Sequence, residues 1–457
     1  MYQKNILEDI IKDKISWIKN KKKYIPIKKI FPYIKKTKYD FYHALKSNNS
    51  VFILECKKYS PSKGLICKNY DVKFLAQIYK NYSSVISVLT DEKYFQGSFN
   101  DINVVRNIVS QPILCKDFIL DSYQIYFARY HLADAVLLIL SILNDKEYIQ
   151  LSTIAHELNM GILTEVNNEK ELKRAIYLEA KVIGINNRNL NDFSIDVNKT
   201  YNLLKSNYIP KKIILISASG INNNLQIRKL GKLVHGFLIG SAITSKKNIL
   251  FAVKNLIFGI NKICGLKKIE DAKITNNSGS IFGGLIFVNN SIRNINIEIA
   301  KNIVFTIKPL LYVGIFCNST IEEIVKISKI LLLYAVQLHG EENQDFINIL
   351  RNKLPSKIKI WKVIKIHNKI PIYKYKNVDL YVFDNYLSGK GIKFNWKLLK
   401  GQNNKNILLA GGLNKNNIAE AIKLKCYGLD FNSGVENISG IKDHLKIKEI
   451  FQKLSKY

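Results

Sequence analysis

Short apolar runs that recur sixteen times along the chain constrain its fold more than any other feature of the sequence. Runs such as VFILECK (51–57) and IILISASG (213–220) are apolar almost throughout, and a helix-like stretch follows each run. Uninterrupted apolar runs are typical of strands that are buried on both faces, as in a parallel sheet covered by helices. The sequence therefore predicts an α/β protein built from repeated strand–helix units.

The sixteen runs form two sets of eight, one set in each half of the chain. The runs begin at residues 51, 85, 112, 135, 161, 182, 213 and 236 in the first half, and at residues 262, 283, 312, 335, 359, 381, 407 and 429 in the second. Eight such units in about 200–250 residues are the number that closes a (β/α)8 barrel. An open doubly wound sheet shares the alternation, but eight strands twice, with polar residues at the run ends, favour two fused (β/α)8 TIM barrels.

Chain length supports the same division, because 457 residues exceed what one ordinary hydrophobic core accommodates. The stretch KNILFAVKNLIFGINK (247–262) predicts a last helix of the first barrel that leads into the first strand of the second. We therefore expect domains at residues 1–257 and 258–457. The N-terminal stretch (1–23) has charged and apolar residues at helical spacing, which predicts an amphipathic helix.

The formal net charge of +34 raises the possibility of nucleic-acid binding. Only seven of the 70 basic residues are Arg, and the lysines are spread over the whole chain, so we expect no specific nucleic-acid partner. Apolar runs such as that at 135–140 are far shorter than the ~20 residues of a membrane span, so no membrane association is expected. Six scattered cysteines without a CxxC pair argue against a zinc site and favour a reducing cytoplasm.

Polar residues at the carboxyl ends of the predicted strands are the candidates for chemistry, because these ends face the active site of a barrel. Carboxylates and lysines that converge there tune each other's pKa for acid–base work. Small residues at the ends of the last two strands are typical of the phosphate cradle of this fold. In the first half the candidates are Glu55, Lys57, Lys116, Glu165, Asn186, Arg188, Ser219, Gly220, Gly240 and Ser241.

Several motifs also resemble known families. The segments ECKKYSPSKG, SVLTDEKYFQGS, PILCKDFI, LTEV, GINNR and FLIGSA resemble indole-3-glycerol phosphate synthase. The segments KICGL, GGLIFV, VQLHG, FDN, LLAGGL and LDFNSGVE resemble phosphoribosylanthranilate isomerase. Their order resembles the bifunctional fusion of the two enzymes in tryptophan biosynthesis, which implies a carboxy-lyase half and an isomerase half.

For the first half, the resemblance implies closure of the indole ring of carboxyphenylamino-deoxyribulose phosphate, with loss of CO2 and water. Lys116 matches the general acid, Lys57 the group that holds the substrate's carboxylate and phosphate, and Glu165 the catalytic carboxylate. Glu55 and Asn186 match residues that orient the substrate and Lys57. The matching substrate- and phosphate-binding positions are Ser60, Ser62, Arg188, Ser219, Gly220, Gly240 and Ser241.

For the second half, the resemblance implies the Amadori rearrangement of N-(5-phosphoribosyl)anthranilate to 1-(2-carboxyphenylamino)-1-deoxyribulose 5-phosphate. Cys264 matches the general base and Asp384 the general acid, although a lone Cys is more often a small core residue. The matching binding positions are Arg293, His339, Gly411, Gly412, Ser433 and Gly434. The resemblance implies small phosphosugar–anthranilate substrates, no metal and no organic cofactor, and we expect a cytoplasmic monomer.

Three positions depart from the family pattern. Ala218 stands where the synthase motif has Glu, Lys267 where the isomerase motif has Thr, and Asn395 where Asp is usual. Ala218 leaves open an alternative in which the isomerase is active and the synthase half is impaired. A phosphosugar isomerase of the histidine pathway is a further alternative, but such enzymes use paired Asp bases, and Cys264 disfavours it.

Overall fold

The computed structural model describes residues 6–47, 49–189, 192–387 and 389–456. The chain forms two compact units, and the division falls between Val253 and Lys254. Each unit contains one closed barrel of eight parallel strands, which confirms the predicted fold class. No helix in the described ranges is long and apolar enough to cross a membrane.

The first barrel is closed because its first strand, β1, pairs in parallel with both the second and the eighth. Each of the eight predicted runs contains one of its strands. The strands of this unit, with a short hairpin formed by β2 and β3, are β1 (Val51–Cys56), β2 (Tyr59–Ser60), β3 (Gly64–Leu65), β4 (Val85–Leu89), β5 (Ile113–Lys116), β6 (Ala135–Ile139), β7 (Gly161–Val166), β8 (Val182–Asn186), β9 (Ile214–Ala218) and β10 (Gly236–Ile239).

Helices follow the strands of this unit, and side-chain caps define where several of them begin. Asn144 and Glu147 form a capping box at one helix start, and Asn223 and Gln226 form another. The predicted N-terminal amphipathic helix is present as α1. The helices are α1 (Ile6–Tyr24), α2 (Ile27–Ile30), α3 (Phe41–Ala44), α4 (Val72–Tyr79), α5 (Glu92–Phe95), α6 (Phe99–Arg106), α7 (Ser122–Tyr130), α8 (Asp145–Glu157), α9 (Glu169–Tyr177), α10 (Asn198–Ser206), α11 (Asn224–Leu230) and α12 (Ser241–Thr244).

The predicted junction helix is α13 (Ile249–Phe258), and the first strand of the second barrel follows it directly. The predicted boundary at residues 257 and 258 falls at the end of this helix. The strands of the second unit are β11 (Ile260–Ile263), β12 (Phe282–Ile286), β13 (Leu311–Phe316), β14 (Ala335–Leu338), β15 (Lys359–Ile366), β16 (Leu380–Asn385), β17 (Ile407–Leu409), β18 (Gly428–Phe431), β19 (Glu436–Ile438) and β20 (Ile441–Lys442).

The second barrel closes in the same way, because β11 pairs in parallel with both β12 and β18. Strands β19 and β20 form a separate antiparallel hairpin directly after the last barrel strand. The apolar side chains of the barrel strands and of the surrounding helices form the core of this unit. The helices are α14 (Ile269–Ser278), α15 (Ile297–Thr306), α16 (Ile321–Ile330), α17 (Gln344–Lys353), α18 (Ile418–Lys423) and α19 (His444–Leu454).

Candidate active sites at the carboxyl ends of the strands

One cavity opens at the carboxyl ends of the strands of the first barrel. The side chains that line it come from most of the barrel strands, from the loops that follow them and from α1. Every residue predicted for this half contributes to the lining. These residues are Glu55, Lys57, Ser60, Ser62, Lys116, Glu165, Asn186, Arg188, Ser219, Gly220, Gly240 and Ser241.

The buried Glu55 and the half-buried Lys57 form an ion pair at the end of β1, with Lys57 Nζ 2.5 Å from Glu55 Oε1. Burial by itself raises the pKa of Glu55, but the charges of Lys57 and Lys116 outweigh it and the net direction is downward. Burial lowers the pKa of Lys57, against the opposing effect of Glu55. Gly240 makes room for this pair, since a Cβ at that position would collide with Glu55 Oε1.

A second carboxylate, Glu165 on β7, lies between an amide and a lysine. The Asn186 side chain donates a hydrogen bond to Glu165 Oε1 (2.9 Å), while Lys116 Nζ lies 3.9 Å from Glu165 Oε2. The amide fixes one oxygen of the carboxylate, and the other faces the ammonium group across a gap. An acid and a base held at this separation can act on one substrate molecule between them.

Arg188 is also held in place by neighbouring groups in this cavity. Its Nη1 donates to the Ser62 hydroxyl (2.8 Å) and to the Phe193 carbonyl (3.2 Å), and its backbone N–H donates to Asn186 Oδ1 (3.0 Å). Burial lowers the pKa of Arg188, against the opposing effect of Glu55. The guanidinium therefore keeps a fixed direction before any ligand binds.

The end of β9 has the small residues and unusual backbone expected of a cradle. Ser219 and Gly220 both have positive φ, +66° and +78°. A Cβ on Gly220 would lie 2.5 Å from Ile195 Cγ2, so the close packing requires glycine there. Ala218, the position that lacks the family carboxylate, is buried and lines the cavity between Asn186 and Leu238 of the neighbouring strands.

The contribution of α1 to this cavity is a feature that the sequence reasoning missed. Leu7 and Ile10 line the cavity. Lys14, one turn further on, lies 2.7 Å from both Asp91 Oδ2 and Asp117 Oδ1 at the ends of β4 and β5, and all three side chains are buried. A lysine on the apolar face of an amphipathic helix was the available signal, because such a residue needs a buried partner.

The second cavity occupies the corresponding end of the second barrel. It brings together the predicted residues Cys264, Arg293, His339, Asp384, Gly411, Gly412 and Ser433. Within the described part of the chain, the lining includes Ser433 but not Gly434. A Cβ on Gly434 would collide with the Leu413 carbonyl, so the glycine allows the backbone to pass that oxygen closely.

Cys264 follows β11 and is buried at the base of the cavity. Burial raises the pKa of its thiol, and nearby Lys262 and Lys442 act in the opposite direction. Lys267, which stands where the isomerase motif has Thr, is half-buried and donates to the Ile292 carbonyl (3.2 Å). The cations that affect Cys264 are therefore residues that the sequence reasoning did not select.

Asp384 and His339 face each other across the same cavity, with His339 Nε2 4.0 Å from Asp384 Oδ2. Burial and the nearby charges of Lys262 and Lys365 lower the pKa of His339 to about 4, so its imidazole is neutral at pH 7. Gly411 lies against Asp384, where a Cβ would be 2.7 Å from Oδ1. The positive φ of Gly411 (+80°) and Gly412 (+66°) lets the loop after β17 approach this carboxylate.

Arg293 is engaged by a carboxylate from the β19–β20 hairpin. Its Nε and Nη2 donate to the two oxygens of Glu436 (2.8 and 2.7 Å), which is the bidentate geometry that suits guanidinium and carboxylate. Lys442 Nζ also lies 2.7 Å from Glu436 Oε1, and it donates to Asn432 Oδ1 (2.9 Å). Arg293 thus belongs to a buried network.

Asn395, the third departure from the family pattern, caps a short 3-10 helix (Trp396–Leu399). Its side chain accepts from the Lys397 N–H (3.1 Å). Asn and Asp cap helices about equally well, so this substitution keeps the local structure.

Two (β/α)8 barrels, each with carboxylates, cations and a glycine-rich strand end at its mouth, define the class of barrel enzymes that act on small phosphorylated substrates. The family model for indole-3-glycerol phosphate synthase matches residues 7–256, and the model for N-(5'-phosphoribosyl)anthranilate isomerase matches residues 261–453. The chain belongs to the family of bifunctional proteins that join these two enzymes.

Curated relatives match over the whole chain. The tryptophan biosynthesis protein TrpCF of Buchnera aphidicola subsp. Schizaphis graminum is 56% identical, with 99% of this chain and 100% of that protein covered. The protein of the same name from Salmonella typhi is 48% identical, with 99% of each chain covered. Among solved structures, the phosphoribosyl anthranilate isomerase of Thermus thermophilus is 28% identical, with a TM-score of 0.39 and coverage of 43% of this chain and 98% of that one.

Proposed function

We propose that the two barrels catalyse successive steps of tryptophan biosynthesis, and that the two cavities described above are their active sites. The second barrel isomerises N-(5-phosphoribosyl)anthranilate to 1-(2-carboxyphenylamino)-1-deoxyribulose 5-phosphate. The first barrel converts that product to indole-3-glycerol phosphate, with loss of CO2 and water. The observation that carries the proposal is that each cavity gathers an acid and a base from distant parts of the chain.

In the first cavity, we assign Lys116 as the general acid that activates the substrate's C2' carbonyl for attack by the aromatic ring. Glu165, which Asn186 orients, assists proton removal and loss of the hydroxyl group. Lys57, paired with Glu55, holds the substrate's carboxylate and phosphate. The remaining binding positions are Ser60, Ser62, Arg188, Ser219, Gly220, Gly240 and Ser241.

In the second cavity, we assign Asp384 as the general acid that protonates the furanose ring oxygen, which lets the C1'–O bond break. Cys264, as a thiolate, then removes the C2' proton, and the enolamine that results tautomerises to the ketose. Neutral His339, beside Asp384, contacts the substrate. Arg293 serves as a substrate contact, and the phosphate lies at Gly411, Gly412, Ser433 and Gly434.

Separate assays of the two half-reactions on the purified full chain test the proposal. Lys116→Met and Glu165→Gln are expected to lower ring closure by about 100-fold or more and to leave the isomerase rate unchanged. Cys264→Ser and Asp384→Asn are expected to do the reverse. A variant in one cavity that abolishes both activities, in a protein that is still folded, would contradict the assignment of one reaction to each barrel.

The same assays address the alternative in which Ala218 impairs the synthase half, which no comparison favours. Ring closure at a rate similar to isomerisation would reject the alternative. A rate that rises severalfold in Ala218→Glu would support it, because the added carboxylate would enter the cavity beside Asn186.

We further propose domains at residues 1–257 and 258–457, a cytoplasmic monomer and no specific nucleic-acid partner. Light scattering and salt-dependent DNA titration test the last two points.

A further inference from the structure

Lys262 lies beneath Cys264 in the second barrel and has no role in the proposed chemistry so far. It lies on β11 two residues before Cys264, which directly follows that strand, so the extended backbone directs both side chains to the same side. Its side chain has 0% exposure. Lys262 Nζ lies 2.5 Å from Asp430 Oδ2 and 2.9 Å from Gln337 Oε1, and both of these residues line the cavity.

The position of this ammonium group is fully determined by its neighbours. A lysine has three N–H donors, and Asp430 and Gln337 take two of them. The charge of Lys262 also acts on the nearby Cys264 thiol and lowers the pKa of that thiol, against the effect of burial. Burial by itself would lower the pKa of Lys262, but Asp430 outweighs this effect and the net direction is upward, so Lys262 stays charged.

We propose that Lys262 is a positioning residue of the isomerase reaction, whose ammonium group, fixed by Asp430 and Gln337, orients the Cys264 sulfur and stabilises its thiolate. This inference rests on the proposed role of Cys264 as the general base. A buried thiol needs such a partner, because burial alone disfavours the charged form that acts as the base.

Other charged groups near Cys264 are less suited to this task. Lys442 on β20 is held by Glu436 and Asn432, and Arg293, in the loop after β12, is held by both oxygens of Glu436. Asp430 on β18 acts against the thiolate, and its effect is offset because Lys262 lies directly against it. Lys262 is therefore the cation whose charge acts most strongly on the Cys264 thiol, and it lies on the strand that leads directly into Cys264.

The experiment measures the titration of Cys264 itself. Alkylation by iodoacetamide is followed against pH in the full chain, and mass spectrometry of the Cys264 peptide separates this thiol from the other five cysteines. In the double variant Lys262→Met/Asp430→Asn, which also removes the opposing charge of Asp430, the apparent pKa of Cys264 is expected to rise by less than in Lys262→Met, where it rises by about one unit or more. Alkylation at pH 8 then slows about tenfold, and the rising limb of isomerase kcat/KM moves to higher pH by the same amount.

The double variant covers the case in which the single variant does not fold, since removing both charges leaves no unpaired carboxylate. Lys262→Arg keeps the positive charge and is expected to retain a Cys264 pKa near that of the parent. The matched control is Lys362→Met/Glu342→Gln, which removes another buried pair of the same barrel (2.8 Å) and is expected to leave the Cys264 pKa unchanged.

An unchanged apparent pKa in the folded double variant would overturn the proposal, even if the isomerase rate fell. A general loss of packing lowers the rate without moving the titration of one thiol. Isomerase activity in Cys264→Ser decides the separate question of whether Cys264 is the base. Full activity there would refute the proposed function, whereas the alkylation result would still report on Lys262.

Discussion

Replacing Glu436 by Gln tests how strongly the buried network around Arg293 stabilises the second unit. Burial alone would raise the pKa of Glu436, but hydrogen bonds and charge from Arg293 and Lys442 outweigh it and bring the pKa to about 2, from an ordinary value of 4.5. The side chain is only 3% exposed, so solvent screening is weak. A difference of about 2.5 units corresponds to about 3 kcal/mol of folding free energy.

The lowered pKa of Glu436 determines how its stabilising effect depends on pH. A carboxyl whose pKa is lower in the folded state stabilises that state fully above pH 4.5, and the contribution is lost as the pH falls through the folded value near 2. The Gln variant lacks this contribution. The parent should therefore exceed the variant by about 3 kcal/mol in unfolding free energy at pH 7 and by about 1.4 kcal/mol at pH 3.

Urea denaturation at several pH values measures this difference, with hydrogen exchange of peptides from residues 260–455 identifying the second unit. The control is Glu449→Gln, which removes an exposed pair with Lys415 (2.9 Å, side chains 49% and 45% exposed). That change is expected to cost less than about 1 kcal/mol. A Glu436→Gln effect that is equally small, or that does not shrink between pH 7 and pH 3, would refute the reasoning.

Three further predictions concern single positions in or beside the two cavities. Lys14→Met leaves Asp91 and Asp117 buried without their cation, so urea denaturation should show that the unfolding free energy of the first unit falls by about 3–5 kcal/mol. The control Lys22→Met, which removes a half-exposed pair with Asp121, should cost less than about 1 kcal/mol. Gly240→Ala places a methyl group on the Glu55 carboxylate, so ring closure should fall about 100-fold while isomerisation is unaffected; unchanged ring closure would contradict the geometry. The His339 imidazole should titrate near pH 4 when followed by NMR. Because the pKa of His339 is lower in the folded state, its contribution to the free energy of unfolding is fully present above pH 6.5 and is lost as the pH falls toward 4. A midpoint near 6.5 would show that it is not desolvated.

The fold could be predicted from the sequence because barrel strands carry a strong local signal. All sixteen apolar runs overlap a barrel strand, since strands buried on both faces need apolar residues throughout. The gathering of strand-end residues into two cavities follows from the same geometry, because parallel strands bring their carboxyl ends to one rim. Glu55 and Gly240, far apart in sequence, meet for this reason.

Partners that depend on how separate segments pack could not be predicted in the same way. Lys14 pairs with residues beyond position 90 because α1 packs over the barrel mouth, and nothing near Lys14 in sequence specifies this. Arg293 was selected as a substrate contact, but its bidentate partner comes from a hairpin at the far end of the chain. The role of Lys262 was overlooked because nothing near it in sequence specifies its partner, and only the register of β11 with β18 reveals Asp430 beside it.

The closure of the first barrel determines when, during synthesis of the chain, its cavity is complete. Glu55 lies on the first strand and Gly240 directly after the eighth, and they become neighbours only when β10 docks against β1. The ribosome must therefore synthesise almost the whole of the first unit before β10 and Gly240 can form the side of the cavity that lies against Glu55. A nascent or clipped chain that lacks β10 therefore lacks the part of the cavity wall that lies against Glu55.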